Sequence, residues 1–199
     1  DFYGNYLTTN TGLARDYYDI GLRAFLSANY GAQEAFSQAL EADPSFSLAY
    51  LGLARSLVSS GQIEKAKKAL EKAKNVSMGT TEREKSHFFC CELVLLGEAK
   101  KASAAVYKHV SEWPRDAMIA QMNTSIFGLI GFSGKADREA DLLEYTGKLL
   151  PHYGDDWWMM SMHAISLCET GQSLESLKLM EKALNLNSRN ANAAHFFAH

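Results

Sequence analysis

The sequence predicts an all-α fold, a right-handed superhelical solenoid of five antiparallel helix pairs followed by one orphan helix. Three observations predict it. Pro44, Pro114 and Pro151 each end a helical pattern, and Met78 and Ser188 sit where the missing beats of the same rhythm fall; the five stand 34, 36, 37 and 37 residues apart, a period that marks stacked helix–turn–helix units. Large and small side chains alternate at fixed places within each period. Only three prolines interrupt 199 residues, which favours long helices, because an interior proline removes a backbone donor and clashes with the preceding turn.

The first unit, residues 12–44, places Tyr17, Ile20 and Gly21 on its first helix and Ala32, Phe36 and Ala39 on its second. The second, 45–78, is the clearest. Its first helix carries Tyr50, Leu53, Ala54 and Leu57, Gly61 makes the turn, and Ala66, Leu70 and Ala73 follow on the second. Small residues let two helices approach closely while large ones fill the facing groove. The third, 80–114, starts with a capping box, Thr81-x-x-Glu84, and runs through Phe89, Cys90, Leu93, Gly97, Ala102 and Val106, with His109 replacing a small residue. The fourth, 115–151, turns at Gly134 and ends at Pro151; the fifth, 154–188, turns at Gly171 and carries Ala183. In both, the first helix or its entry reads about three residues longer than standard. Residues 189–199 start a sixth first helix that has no partner. An uncapped apolar helix predicts a longer native chain, or self-association through this end. The whole of 1–199 reads as one solenoid domain.

The alternation in 47–78 resembles the tetratricopeptide repeat consensus position by position. A narrower resemblance rests on "DFYGNYLTT…ARDYY", "REKSHFF", "WPRDAM", "GFSGK", "PHYGDDWWMMSMHA" and "NAAHFFAH". Together, in this order, they resemble the tetratricopeptide repeat protein 38 family over nearly the whole chain. Members of that family are longer, so the resemblance implies an N-terminal part of such a protein. It implies no reaction, cofactor or partner.

Composition excludes several classes. A net charge of −3 carries no electrostatic footprint for nucleic acid. The most apolar stretch, "SIFGLIGF" at 125–132, is too short to span a bilayer. Cys90, Cys91 and Cys168 are an odd, partly adjacent set, which suits a reducing compartment, hence a cytoplasmic location, better than a disulfide framework. "EKAKKALEKAK" at 64–74 reads as a solvated helix face with i, i+4 pairs rather than a basic patch. "GFSGK" lacks the spacing of a phosphate loop.

In tetratricopeptide proteins, the fifth and ninth positions of each first helix face a concave groove. Carried onto this chain, the resemblance implies Leu51 with Arg55, His87 with Cys91, Gln121 with Ser125, Trp158 with Met162, and His195 with His199. A shifted register in units four and five would give Thr124 with Gly128 and Ser161 with Ile165. Such a groove is neutral and rich in aromatic and sulfur-bearing side chains. A carboxylate clamp is not expected, since Tyr18, Leu22, Gly52 and Glu84 occupy its positions. Cys90 and His163 are expected in the core, His163 with a hydrogen-bond partner. One of Trp157 and Trp158 is expected to pack inside and the other to face the groove. His195 and His199 have the i, i+4 spacing of a metal pair, but "HFFAH" lacks the glutamate of a metalloprotease motif.

The expected function is a scaffold or adaptor that binds a protein or peptide segment, without catalysis or cofactor, through Arg55, His87, Gln121, Trp158, His195 and His199. The alternative is a metal-binding or metal-dependent protein in which His195 and His199 join ligands outside this chain.

Overall fold

The computed structural model describes residues 1–198. Its elements are α1 (Gly12–Leu26), α2 (Ala32–Ala42), α3 (Ser47–Ser59), α4 (Ile63–Asn75), α5 (Glu82–Leu95), α6 (Ala99–Glu112), α7 (Ala117–Ala120), α8 (Arg138–Tyr153), α9 (Trp157–Glu169), α10 (Ser173–Leu186) and α11 (Ala191–Phe197), with a 3-10 turn at Gln121–Asn123. Consecutive helices pack on one another as a solenoid of antiparallel pairs requires: α2 on α3, α3 on α4, α4 on α5, α5 on α6, and later α8 on α9 and α9 on α10. No helix of the described residues is long and apolar enough to cross a membrane. The chain divides into two compact units, residues 1–25 with 30–119, and residues 26–29 with 120 onward.

In the first unit the alternation of large and small residues has a visible cause. Phe36 on α2 is fully buried, with its ring 5.6 Å from that of Tyr18, which also lies 5.3 Å from Phe46. Gly21 and Gly52 make room for it. A Cβ at Gly21 would lie 2.8 Å from the Phe36 ring, and one at Gly52 would lie 2.5 Å away. Gly52→Ala is therefore expected to cost about 1–3 kcal/mol by overpacking, read as a lower urea midpoint, and adding Phe36→Leu is expected to recover part of the loss.

Two expected core positions lie outside. Ile20 is 56% exposed and Phe89 is 51% exposed. On α1 the buried stripe is Ala14, Tyr18, Gly21 and Leu22, an i, i+4, i+7, i+8 set that puts Ile20 on the far side. On α5 the stripe is His87, Cys90 and Cys91, which turns Phe89 outward. The expected capping box forms, with Thr81 Oγ1 accepting the Glu84 N–H at 3.2 Å and Glu84 Oε2 accepting the Thr81 N–H at 2.8 Å. On α4 the charged face is solvated; its Glu64–Lys67 pair is i, i+3 rather than i, i+4.

The second unit corrects the reading of the fourth pair. Its first helix is not longer than standard but is one turn, α7, continued only by the 3-10 turn, and residues 124–137 form no regular helix. The chain folds back on itself there. The Leu129 N–H bonds to the Met122 carbonyl at 2.8 Å, and a Cβ at Gly131 would fall 2.0 Å from the Ile126 carbonyl oxygen. Glycine alone tolerates that approach, so these glycines trade helix for a tight loop. Nor does Pro151 end the second helix. It sits inside α8, exposed in the last turn. The stop is Gly154, at φ +61°.

α9 starts as its acidic residues suggest. Asp156 caps it through the Met159 N–H at 2.8 Å, and Asp155 pairs with Lys182 of α10 at 2.6 Å. Trp157 and Trp158 are both buried, so neither divides off toward an open groove. The orphan helix α11 packs on α10 and α9. Asn190, fully buried, caps it through the Ala193 N–H and reaches Ser161 Oγ at 3.3 Å, and the Ala191 N–H bonds to the Ser27 carbonyl at 3.0 Å.

Candidate functional site

The most concentrated polar chemistry lies in the first unit around Asp116, in the loop between α6 and α7. Its Oδ2 receives the Arg83 guanidinium and the His87 Nδ1 at 3.0 Å, and the His109 Nε2 lies 3.2 Å away. Arg83, His87 and Asp116 are all buried. Arg83 and His87 are four apart on α5, so one face of that helix presents both. His109 comes from α6, held in orientation by Ser86 Oγ at 2.9 Å from its Nδ1. Burial alone would raise the Asp116 carboxyl, but His87, the nearby His109 ring, the hydrogen bond from His87, and the Arg83 charge outweigh it and hold it well below the usual range. Burial pushes His87 down despite Asp116, so the ring is neutral at neutral pH and donates through Nδ1. Cys90 and Cys91 are inert thiols, pushed up to about 12 by burial.

This cluster has the look of chemistry without its geometry. Arg83 already supplies the positive charge beside Asp116. No group of three or more His, Cys, Asp or Glu side chains among the described residues is arranged to hold a metal ion. Ser86, His109 and Asp116 stand in line, His109 Nε2 lying 3.2 Å from Asp116 Oδ2 without the alignment of a hydrogen bond, and Ser86 lies within α5, where the neighbouring N–H groups belong to the helix ladder. They cannot turn to stabilise an oxyanion, which is the largest part of acyl-transfer catalysis.

Beside the cluster runs the segment of residues 1–10, which starts with a turn closed by the Gly4 N–H on the Asp1 carbonyl at 2.9 Å, with Gly4 at φ +83°, and continues from residue 5 without helix along α1 and α5. The Phe2 N–H donates to Asp19 of α1 at 3.1 Å, and the Arg23 guanidinium lies 4.8 Å from the centre of the Phe2 ring. Asn5 Nδ2 donates to the Arg115 carbonyl at 3.0 Å. Arg83 donates to the Tyr6 carbonyl at 2.8 Å. Glu84 takes both groups of Thr8, the N–H at 2.8 Å and the hydroxyl at 2.5 Å. Asp43 takes the Thr9 hydroxyl at 2.7 Å and the Asn10 N–H at 2.8 Å. Against the cost of its own burial, those bonds and two from Ser45 lower the Asp43 carboxyl to about 2. Tyr3 and Leu7 are buried. Sequence reasoning missed this segment. "YLTTN" has no helical period, and the acids and base that read its backbone are distant in the chain.

The residues expected to line a groove separate. Leu51, His87 and Cys91 are buried. Arg55 is half-buried, its guanidinium 5.4 Å from the Phe25 ring centre. Tyr18 and Leu22, expected at clamp positions, are buried as well. In the second unit Trp158 and Met162 are buried, Gln121 is half-buried and His195 is exposed; His199 lies outside the described residues. Neither His87 nor Trp158 is open to a partner, because each fills space between packed helices. Cys90 lies in the core as expected. His163 has its partner, Thr146 Oγ1 at 2.9 Å, but is half-buried rather than enclosed.

Comparison with known proteins places the architecture. Residues 31–77, helices α2 to α4, match the tetratricopeptide repeat family. A search of the curated proteins gave no match. Among solved structures, the chain is similar to one from the APC/C hetero-tetramer Cut9–Hcn1, at 16% identity and a TM-score of 0.55, over 93% of this chain and 36% of that one; it thus spans about a third of that relative. It is also similar to YrrB, a TPR protein with an unusual peptide-binding site, at 18% identity and a TM-score of 0.48, over 94% and 92% of the two chains, and to MamA, at 19% identity and a TM-score of 0.40, over 90% and 94%. The fold is that of tetratricopeptide repeats.

Proposed function

We propose that this chain is a non-catalytic interaction scaffold whose first unit binds an extended peptide segment across α1 and α5. One observation carries the reading: residues 5–10, beyond the turn at 1–4, already lie there as a ligand would. Their backbone is recognised by side chains of the array, with Arg83 on a carbonyl and Glu84 and Asp43 on N–H groups. Recognition through the main chain asks only for an extended partner, while Leu7, and Tyr3 in the turn before it, mark two anchor positions and Thr8 a small hydroxyl. Arg23, Arg83, Glu84 and Asp43 are the contact residues of this site. Arg55 borders it on our reading, and Gln121, His195 and His199 remain the candidates of the second unit. A narrower kinship with the tetratricopeptide repeat protein 38 family rests on the motifs quoted above. Three free thiols fit the reducing cytoplasm.

Competition tests the proposal. Thr8→Pro removes the N–H and the hydroxyl that Glu84 holds and leaves the helices untouched. An acetylated synthetic peptide of residues 1–11 is expected to bind the Thr8→Pro chain at least about tenfold more tightly than the wild type, whose site is occupied. Equal affinity for both, or no binding to a Thr8→Pro chain with native helicity, would refute it.

A further inference from the structure

A second surface, on the side formed by the second helices of the first two pairs, has the shape and charge of a docking groove. α2 and α4 are its walls and α3 its floor, and the groove, open to solvent, has a volume of about 670 Å³. Half-buried Leu40, Tyr50 and Leu53, with Leu57 and Ala69 beneath, supply an apolar base. Its rims differ in sign. Exposed Glu34 and Glu41 stand on α2, and exposed Lys65, Lys68 and Lys72 stand on α4. Along α4 the lining runs from Gln62, the residue before the helix, to Lys72, about 15 Å at the rise of a helix.

We propose that this groove docks an amphipathic α-helix of a partner protein, acidic on the flank that meets α4 and basic on the flank that meets α2. Every wall is helical, so backbone donors and acceptors are used internally and an extended strand would find none. The lining residues instead recur at helical spacing on all three elements, which makes the furrow a fit for the ridges of a fourth helix. No ion pair joins the two rims across the furrow among the described residues, and Lys72 reaches inward only to the Tyr50 ring, 6.0 Å from its centre. Lys65 rests on neutral Gln62 at 2.7 Å, and Glu34 accepts from neutral Gln38 at 3.3 Å. Turning a helix end for end exchanges its flanks, so the split charge also sets the direction in which the partner lies. This surface is separate from the extended-segment site on α1 and α5.

Three designed fourteen-residue helical peptides with one common leucine face test it. One carries an acidic and a basic flank, one has both flanks acidic, and one both basic. Titrated into the isotopically labelled chain at low salt, the split-charge peptide is expected to bind about tenfold more tightly than either of the others and to shift resonances of α2, α3 and α4. The double variant Glu34→Lys/Glu41→Lys, on the exposed face of α2, is expected to transfer that preference to the all-acidic peptide. Equal affinities, an unchanged preference in the variant, or shifts confined to other helices would overturn the proposal. So would a concentration-dependent dimer that masks these residues, which would make a second copy the occupant.

Discussion

Replacing Asp116 with alanine is expected to destabilise the first unit by about 3–5 kcal/mol, because it leaves the buried Arg83 charge without its carboxylate. Urea unfolding followed by circular dichroism reads the loss, and Asp116→Asn, which keeps the shape without the charge, is expected to lose a similar amount. The pH dependence carries a second signature. Burial depresses the His87 pKa below its unfolded value of 6.5, so the unfolded chain binds the extra proton first. Stability contributed by the neutral ring is present above about pH 6.5 and declines as the pH falls toward the folded value. Asp116 favours the protonated ring. Its removal therefore steepens the decline, by at most about 1.4 kcal/mol per pH unit for one group. The Asp116 carboxylate is itself depressed, so its own contribution is lost only below about pH 3.8. A variant as stable as the wild type would mean that Arg83 is solvated rather than paired.

Trp158→Ala is expected to cost about 3–5 kcal/mol, since the side chain is fully enclosed at the start of α9, with the Tyr153 ring 5.5 Å away. An exposed groove residue would cost within about 0.5 kcal/mol. Thermal unfolding separates the two roles, and a small loss of stability together with a loss of partner affinity would restore Trp158 to the groove.

The repeat was legible because stacked helix pairs impose their period on the sequence. Pro44, Pro114, Gly61 and Gly171 mark turns that the structure contains, and Thr81-x-x-Glu84 marks a start that it contains. Legibility failed where local chemistry overrode the period. Around Gly128 and Gly131, close backbone approach replaced a helix with a loop. Pro151 lies on an exposed turn that α8 simply carries through. The candidate site was less readable still. Groove positions inherited from a repeat consensus assume an open concave face. In the first unit the positions held by Leu51, His87 and Cys91 are closed, and the contacts that matter join Thr8 to Glu84 and Tyr6 to Arg83, pairs more than seventy residues apart. No periodicity links such partners. Asp116 was visible only as part of a quoted motif, because three side chains converge on it from two helices.

Native-state hydrogen exchange tests most directly the claim that residues 5–10 sit in the first unit as a displaceable ligand. The Thr8 and Asn10 amides, bonded to Glu84 and Asp43, are expected to exchange about 10- to 1,000-fold more slowly than in the free peptide. They should still exchange well ahead of the His87 and Cys91 amides within α5, because a segment that opens locally exchanges without global unfolding. Exchange at the free-peptide rate would contradict occupation of the site, and exchange in step with α5 would contradict displacement.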